Sequence, residues 1–427
     1  MADGVDIVIL SNGPGEIATW VKPVVRSLQQ HAATGLPLRI SVILSPCPHA
    51  SGNEHLTALS YPEVGRVQAA GQFFRFLLTG RTADDWDWYD RGVVVFLGGD
   101  QLYPVLVGKR LGYPAVVYAE WEGRWQGWVR SFGAMQPQVV EKANPKYRDK
   151  FTVVGDLMAD VAVAQDNRAD IEARLGIGPE TPLVGLLPGS KALKLKLGVP
   201  LMSAIAAHVH THRPETCVVI PDAPTLEPQA LVNYADPKQN PFVKSFGGPC
   251  LTFVAASPQH LPYLQMENGP RLYLWQTFPA FDLLSRCHIC LTTVGANTAQ
   301  LGALAIPMLV LLPAQKIVKE FDYLDGLPSL LSKLPGIGVL TRRLINSVVL
   351  KMLMRQGKRF AWPNIWAQRE VVPELFENLT GETVGQRVLH YLDHPDQLQK
   401  IRQDLRQLRG PSGAANKMAG IILEAIP

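Results

Sequence analysis

Short apolar runs alternate with helical stretches along the whole chain, and this alternation limits the folds that are open to it. Several of the runs are continuously apolar, as strands buried on both faces of a sheet should be. The alternation favours parallel sheets, because a parallel pair of strands needs a long crossover that is usually a helix. The predicted strands are 6–10, 39–44, 93–97, 115–118, 151–154, 183–187, 217–220, 251–254, 272–275, 289–292 and 308–312.

Two of these runs look like the first strand of a Rossmann-like domain, since each ends in a glycine-containing turn that opens a helix. They lie at 6–15 and 183–190, and a polar segment with several glycines and prolines separates them between residues 160 and 182. A chain of 427 residues is long enough for two or three domains. We therefore predict an α/β protein with two Rossmann-like domains, 1–165 and 166–392, whose parallel sheets face a cleft.

Composition excludes several classes of protein. The formal net charge of +4 is too small for the concentrated basic face of a nucleic-acid-binding protein. Five cysteines are too few for a disulfide framework in a chain of this length, so free thiols in a cytoplasmic protein are expected. The longest uninterrupted apolar run, 306–312, has the length of a strand, and the chain starts with acids where an export signal has bases. We expect a cytoplasmic protein.

Two turns of the first predicted domain are candidate sites. The turn Ser11-Asn12-Gly13-Pro14-Gly15-Glu16 lets the backbone approach a ligand at a helix N-terminus, but it lacks the GxGxxG spacing of a dinucleotide site. A tight turn without a ligand is the alternative. Asp100 follows a buried strand, where doubly wound sheets bind ligands, and could take a proton from a hydroxyl. Its alternative is an N-cap for the following helix, and the residues alone do not decide between the two.

Two similar turns lie in the second predicted domain. In the turn Leu186-Leu187-Pro188-Gly189-Ser190-Lys191, the amides of Gly189 and Ser190 could face a diphosphate, and Lys191 could add a charge. The alternative is a solvated basic loop, which Lys194 and Lys196 would continue. The turn at Gly295 opens a helix whose unpaired amides could hold phosphates. Its candidate nucleotide-binding residues are Gly295, Ala296, Asn297, Thr298 and Gln300.

Aromatic and basic segments complete the set of candidates. Trp121, Trp125 and Trp128 surround Arg124, and aromatic faces of this kind suit sugars and acyl chains but also fill cores. The segment 326–362 carries seven basic residues and no acidic one, with an apolar face at helical spacing between residues 344 and 353. A basic amphipathic helix suits an anionic membrane surface. A helix packed on its own domain, or on a partner subunit in a homodimer, is the alternative.

Several motifs occur in an order that resembles one family. They are Gly15-Glu16, Asp100, Val154-Gly155-Asp156-Leu157-Met158-Ala159-Asp160, the Gly189 and Gly295 turns, Trp362-Pro363-Asn364-Ile365 and Val372-Pro373-Glu374-Leu375. From about residue 6 to the C-terminus, the chain resembles the lipid A disaccharide synthases, glycosyltransferases of the B type with two Rossmann-like domains. Three departures accompany the resemblance: Thr19-Trp20 in the first turn, Lys191 where the family has arginine, and Gln300 where an acid commonly binds ribose.

The resemblance implies a reaction and roles for these residues. An acylated glucosamine would pass from UDP to a lipid-linked sugar acceptor, with Asp100 as general base and Glu16 beside it. Lys191 and the Gly295 helix start would stabilise the departing UDP, and Asn364 and Glu374 would belong to the family's closing motif. Helices at about 393–427 would pack back on the first domain. No metal and no cofactor is expected apart from the UDP-sugar donor, and the protein would meet the membrane through 326–362.

Two other classes of function remain open at this point. A different sugar-nucleotide enzyme on the same scaffold, such as an epimerase or another glycolipid transferase, would share the turns. A non-catalytic lipid-binding relative would share the fold without binding UDP.

Overall fold

The computed structural model describes residues 4–32, 37–47, 50, 52, 54–161, 168–189, 192–221, 227–267, 269–277, 279–313 and 359–427. Ser190, Lys191 and nearly all of the basic segment 326–362 lie outside the described residues. The chain divides into two compact units. Unit 1 comprises Met1–Ala164 and Arg409–Pro427, and unit 2 comprises Gln165–Leu408.

The strands occur close to the predicted positions, with four additions. The additional strands are β3, β6, β11 and β15, which are short and mix polar with apolar residues. The strands are β1 (Val5–Ser11), β2 (Leu38–Leu44), β3 (Arg66–Gln68), β4 (Gly92–Phe96), β5 (Ala115–Ala119), β6 (Ser131–Ala134), β7 (Phe151–Val153), β8 (Leu183–Leu187), β9 (Cys217–Pro221), β10 (Leu251–Val254), β11 (Tyr263–Met266), β12 (Arg271–Trp275), β13 (Ile289–Thr293), β14 (Met308–Pro313) and β15 (Glu374–Glu377).

Helices connect most of these strands. The described α-helices are α1 (Pro14–Glu16), α2 (Lys22–Ala32), α3 (Glu54–Leu59), α4 (Phe73–Thr79), α5 (Leu102–Leu111), α6 (Pro137–Lys142), α7 (Met158–Val161), α8 (Arg168–Leu175), α9 (Ala192–His212), α10 (Pro228–Ala235), α11 (Phe242–Phe246), α12 (Phe281–Arg286), α13 (Ala296–Ala303), α14 (Trp362–Ala367), α15 (Gly381–Asp393), α16 (Pro395–Arg409) and α17 (Ala414–Glu424). A π-helical turn, Ile17–Val21, joins α1 to α2.

Unit 1 is built on a seven-stranded sheet in the order β3-β2-β1-β4-β5-β6-β7, and all of its strand pairs are parallel. Every residue of β1 and β4 is buried, which explains why both strands are apolar apart from Asp6 and Ser11 in β1. Helices α4 and α5 share one apolar cluster over the sheet, whereas α3 contacts the π-helical turn. The last helix, α17, packs on α2 and β6 within the same unit.

Unit 2 contains an eight-stranded sheet in the order β10-β11-β12-β9-β8-β13-β14-β15. Its strands are parallel from β12 to β15, as the alternation with helices predicts. The pairs β10–β11 and β11–β12 are antiparallel instead. The connection from β10 to β11 is too short for a helical crossover, so the chain can only turn back on itself.

Helix α9 forms the centre of unit 2. It is long and apolar enough to cross a membrane by length and composition, but 61% of its apolar window is buried inside the protein. Its Leu195, Met202 and Ile205 belong to a core cluster that also includes residues of β8, β13 and β14. We therefore assign α9 to the core of this unit, where its apolar side chains cover the parallel strands.

The buried strand β1 contains one charged residue, Asp6, which is fully inaccessible to solvent. Arg39 on the neighbouring strand donates to both of its carboxylate oxygens, at 2.7 and 3.0 Å. The Tyr89 amide and the Tyr113 hydroxyl donate to Oδ2 at 2.7 and 3.1 Å, and Arg66 approaches to 3.5 Å. These partners compensate the cost of removing a carboxylate from water. The network closes the amino-terminal edge of the sheet of unit 1.

Asp6→Asn should destabilise the protein strongly, because it leaves the two arginines without their buried counter-charge. We expect a loss of about 3 kcal/mol, near the lower end for a broken buried ion pair since the arginines are partly exposed. The measurement is the midpoint of unfolding in urea, detected with a signal that reports on unit 1. Asp87→Asn is the matched control, because the highly exposed Asp87 contacts the same two arginines and should change the midpoint little. Equal shifts for the two variants would contradict this role of Asp6.

Candidate active site

The carboxyl ends of β1 and β4 lie side by side in unit 1 and bring two predicted site segments together. The Ser11 hydroxyl donates to the Leu97 carbonyl at 2.9 Å. Gly98 has a φ of +133°, and a Cβ placed there would lie 2.9 Å from Asn12 Oδ1 and 3.1 Å from Glu16 Cγ. The close approach therefore needs glycine at this position, and it places Glu16 against the loop that leads to Asp100.

Asp100 is exposed at this edge of the sheet. Its Oδ1 accepts a hydrogen bond at 2.8 Å from the amide of Leu102, the first residue of α5, whose N-cap is Gln101. A carboxylate has several acceptor positions, and one bond to a backbone amide leaves it able to bind a further donor. The structure thus gives Asp100 a contact with the start of the helix and also the solvent access that a general base needs.

Two further acids share this edge, and the sequence did not single them out as site residues. Glu120 follows β5. The pKa of its carboxyl is raised to about 7, mainly by burial and then by the nearby charges of Asp156 and Glu16, while a hydrogen bond from Trp121 lowers it. Asp156 follows β7, and burial is the main cause that raises its pKa to about 6. The Asp156 Oδ1 accepts from the Met158 amide at 2.9 Å, while its buried Oδ2 has no hydrogen-bond partner. Perturbed carboxyls at a strand edge are typical of functional sites.

The tryptophans after β5 are at the surface and do not fill the core. Trp121, Trp125 and Trp128 are 42%, 45% and 62% exposed, and the Lys109 ammonium covers one face of the Trp128 ring, 3.3 Å from its centroid. Arg124, between them, is bonded through Nε to Glu122 at 2.6 Å, and its amide donates to Gln101 at 2.7 Å. Gln101 also donates to the Glu122 carbonyl, so this loop is tied to the loop that carries Asp100.

In unit 2 the adjacent strands β8 and β13 end in the two predicted glycine turns, and Lys194 joins them. The Lys194 Nζ donates to the Val294 carbonyl at 2.7 Å. A Cβ at Gly295, where φ is +146°, would lie 2.5 Å from that nitrogen, and one at Gly189 would lie 2.8 Å from Lys194 Cβ. The ammonium therefore lies beside the N-terminus of α13, while the predicted contacts Ser190 and Lys191 are outside the described residues.

The remaining candidates on α13 differ in their availability. Gly295 is the N-cap, and no side chain caps the helix there. The Thr298 hydroxyl donates to the Gly295 carbonyl at 2.8 Å and accepts from the Trp362 amide at 3.2 Å, so it holds the turn internally. Ala296 is exposed, and Asn297 and Gln300 are half-buried. The first turn of α13 is therefore open to a ligand through its backbone and these side chains.

Asn364 and Glu374 form a closed internal network. Asn364 is fully buried, donates to Val372 O at 2.8 Å and to Glu374 Oε1 at 2.7 Å, and accepts from the Val371 and Val372 amides. Glu374 accepts from the Phe360 and Ala361 amides at about 3 Å. All four hydrogen-bonding positions of the Asn364 amide are thus used to hold the segment between α14 and β15, and the pair positions the chain beside α13.

Several curated proteins that are similar to this chain are lipid-A-disaccharide synthases. The lipid-A-disaccharide synthase of Geobacter metallireducens is 22% identical over 277 residues, which cover 64% of this chain and 56% of that protein. The synthase of Persephonella marina is 23% identical over 286 residues, 65% of this chain and 60% of the relative. Over these spans the chain is similar to the lipid-A-disaccharide synthases. The predicted resemblance is confirmed, although the chain matches less than two thirds of the length of these relatives, and no protein-family model matches it.

Solved structures support the fold. A protein assigned as a UDP-N-acetylglucosamine 2-epimerase from Listeria monocytogenes has a TM-score of 0.54 at 13% identity, over 97% of this chain and 94% of that one. The UDP-GlcNAc 2-epimerase from Neisseria meningitidis, bound to UDP-GlcNAc, has a TM-score of 0.50 at 14% identity, over 98% of each chain. The predicted fold class, two Rossmann-like α/β units of the GT-B type, is confirmed.

The pair Thr19-Trp20 links the first turn of unit 1 to the segment around Asp156. Thr19 and Trp20 lie in the π-helical turn, and the Thr19 hydroxyl donates to Gly15 O at 2.8 Å. The Trp20 ring meets the Tyr118 ring edge-on at 5.2 Å. The Tyr118 hydroxyl in turn donates to Gly155 O and accepts from the Leu157 amide, on either side of Asp156. Single π-helical turns of this kind are frequent at functional sites.

Protonation of Glu120 gives the site a pH signature. The ordinary pKa of this carboxyl is 4.5, and burial raises it to about 7 in the folded protein. The folded state therefore binds more protons in this window, and stability should fall as the pH rises through it. Glu120→Gln removes that loss, so its thermal midpoint should fall less than that of the wild type between about pH 5 and about pH 8. Asp156 retains part of the effect in the variant, because its pKa is raised as well.

Glu122→Gln is the matched control, since Glu122 is exposed two residues further along the chain. Its melting profile should follow that of the wild type across the same range. A Glu120→Gln variant with the same pH dependence as the wild type would show that this carboxyl is ionised throughout.

Proposed function

We propose that this protein is a glycosyltransferase that moves an acylated glucosamine, or a related sugar, from UDP to a lipid-linked sugar acceptor. The similarity to the lipid-A-disaccharide synthases carries this proposal, and the glycine turns at the strand ends of both units support it. The structural neighbour that contains UDP-GlcNAc supports a UDP-sugar as donor. Asp100, Glu16 and the Gly189 and Gly295 turns are the proposed site residues, with Ser190 and Lys191 contributing from outside the described residues.

The acceptor hydroxyl would lose its proton to a carboxylate at the edge of unit 1. Asp100 is exposed and anchored by the Leu102 amide, which fixes its position without blocking its second oxygen. As the deprotonated hydroxyl attacks the anomeric carbon, the bond from that carbon to UDP breaks and the configuration inverts. Glu120 is the second candidate for the base, since its pKa of about 7 suits proton transfer at neutral pH.

The departing diphosphate would need positive potential in unit 2. The first amides of α13 have no side-chain cap, and the partial positive charge of a helix N-terminus attracts phosphate. The tryptophans after β5 offer exposed faces for a sugar ring or an acyl chain in unit 1. These contacts need no metal ion, and within the described residues no group of three or more His, Cys, Asp or Glu side chains could hold one.

An exposed apolar patch on unit 1 supports a lipid acceptor. Phe74 and Leu78 on α4 are 55% and 76% exposed, and Leu106 on α5 is 40% exposed. Phe73 and Tyr103 hold the starts of the two helices together, with ring centroids 4.7 Å apart. Arg110 donates to the Leu78 carbonyl at 2.8 Å, so a cation lies beside the end of α4. Exposed apolar side chains beside a cation suit an anionic bilayer surface, where the acceptor would reside.

A turnover assay tests the proposed reaction. The protein is incubated with UDP-acylglucosamine and a lipid-linked acceptor, and UDP, free sugar and glycolipid are measured. Glycolipid and UDP should appear together, and Asp100→Asn should lower this turnover by about 10²- to 10⁴-fold without a change in melting. Asp149→Asn, an exposed aspartate elsewhere in unit 1, is the control. A changed sugar nucleotide without glycolipid would favour an epimerase, and no UDP binding would favour a non-catalytic relative.

The apolar patch predicts how the protein meets membranes. Phe74→Ser with Leu78→Ser should weaken binding to anionic vesicles by about 10- to 100-fold, since each side chain loses part of its burial in lipid. Leu56→Ser with Leu59→Ser is the matched control, because these exposed leucines lie on α3, away from the α4–α5 cluster. Vesicle co-sedimentation distinguishes the variants. Equal binding by both double variants would assign membrane contact to another part of the chain, for which 326–362 remains the candidate.

A further inference from the structure

Lys194 lies at the meeting point of the two glycine turns of unit 2. It belongs to the first turn of α9, and its stem passes Gly189 before its ammonium reaches Val294 O and Gly295. The lack of a side chain at both glycines makes room for this path, because a Cβ at either position would lie under 3 Å from a Lys194 atom. The side chain is half-buried, so its position is constrained by the turns around it.

The electrostatics of this place favour an anion. A cation at a helix N-terminus opposes the helix dipole, whereas a phosphate there is stabilised by it. The ammonium of Lys194 lies beside the N-terminus of α13, within a strand-to-helix turn at the carboxyl end of a parallel sheet. The helix amides and the ammonium therefore attract the same kind of ligand, and the attraction grows with the negative charge of that ligand.

We propose that Lys194 binds the diphosphate of the nucleotide and gives the site its preference for nucleoside diphosphates over monophosphates. This inference rests on the proposed function, since it assigns a residue to the donor half of that reaction. As the sugar–phosphate bond breaks, the diphosphate gains negative charge. The Lys194 ammonium stays hydrogen-bonded to an oxygen of the diphosphate.

A purely structural role for Lys194 makes a different prediction. The bond to Val294 O also ties the β13–α13 turn to α9, and its loss would disturb every ligand that uses the turn. In that case uridine, UMP and UDP would all lose affinity by the same factor. A charge contact instead reduces UDP binding most, UMP binding less and uridine binding least, because the attraction depends on the number of phosphate charges.

Calorimetric titration of the full-length protein with UDP, UMP and uridine separates the two roles. Lys194→Met should weaken UDP binding by about 10- to 100-fold, as expected for a lost hydrogen bond to a charged group, and should leave uridine binding unchanged. Lys194→Arg should retain most of the UDP affinity, because it keeps the charge. Lys196→Met is the matched control, since Lys196 is exposed on the same helix turn.

The outcomes are distinct. A UDP-specific loss in Lys194→Met, with wild-type binding in Lys196→Met, supports the inference. Equal losses for the three ligands, or unchanged UDP affinity, overturn it while the proposed function stands. If the wild-type protein binds no UDP, the proposed function fails and this inference fails with it.

Discussion

Burial of the parallel strands on both faces is the constraint on which the other features depend. The strands β1, β4, β8 and β13 are covered on both faces of their sheets. Polar groups that contact a ligand can therefore lie only at the ends of these strands. The two edges of the sheet in unit 1 then serve different purposes. At the amino-terminal edge, Asp6 is enclosed by arginine, tyrosine and backbone donors and contributes to stability. At the carboxyl edge, Glu16, Asp100 and Glu120 stay close to solvent, where a carboxylate can exchange a proton.

Most of the fold could be predicted from the sequence, because long apolar runs and glycine turns are local signals. The parallel order around β1 and β8 follows from the alternation of strands with helices. The strands that sequence reasoning missed are short and include polar residues, as in Arg66–Gln68 and Glu374–Glu377, so their apolar pattern is weak. The antiparallel pairing of β11 was not predicted either, because it depends on a short connection and not on composition.

The candidate site was predictable only where a motif carried it. The glycine turns and Asp100 are visible as strand-end motifs, whereas the raised pKa of Glu120 needs Asp156 and Glu16, which come from distant parts of the chain. Burial of Asp156 with one oxygen unpaired is likewise a product of tertiary packing. The sequence contained a weak signal for Glu120, namely an acid directly after a buried strand and beside tryptophans. For Asn364 and Glu374 the motif was recognised, but only the structure shows that both side chains bond internally.

The two units carry opposite electrostatic characters at their strand ends, and glycosyl transfer from a diphosphate requires both. Proton removal from a hydroxyl needs a carboxylate, and a carboxyl with a pKa near neutrality accepts and returns that proton within one cycle. Departure of a diphosphate needs a cation and aligned dipoles that are in place before charge develops, because their reorganisation would otherwise add to the barrier. Unit 1 has the carboxylates, and unit 2 has an uncapped helix N-terminus with the Lys194 ammonium held beside it by Val294 O. In the proposed reaction, a lysine held in this way before any nucleotide arrives would lose little further freedom on binding, so more of its attraction would be available to the leaving group.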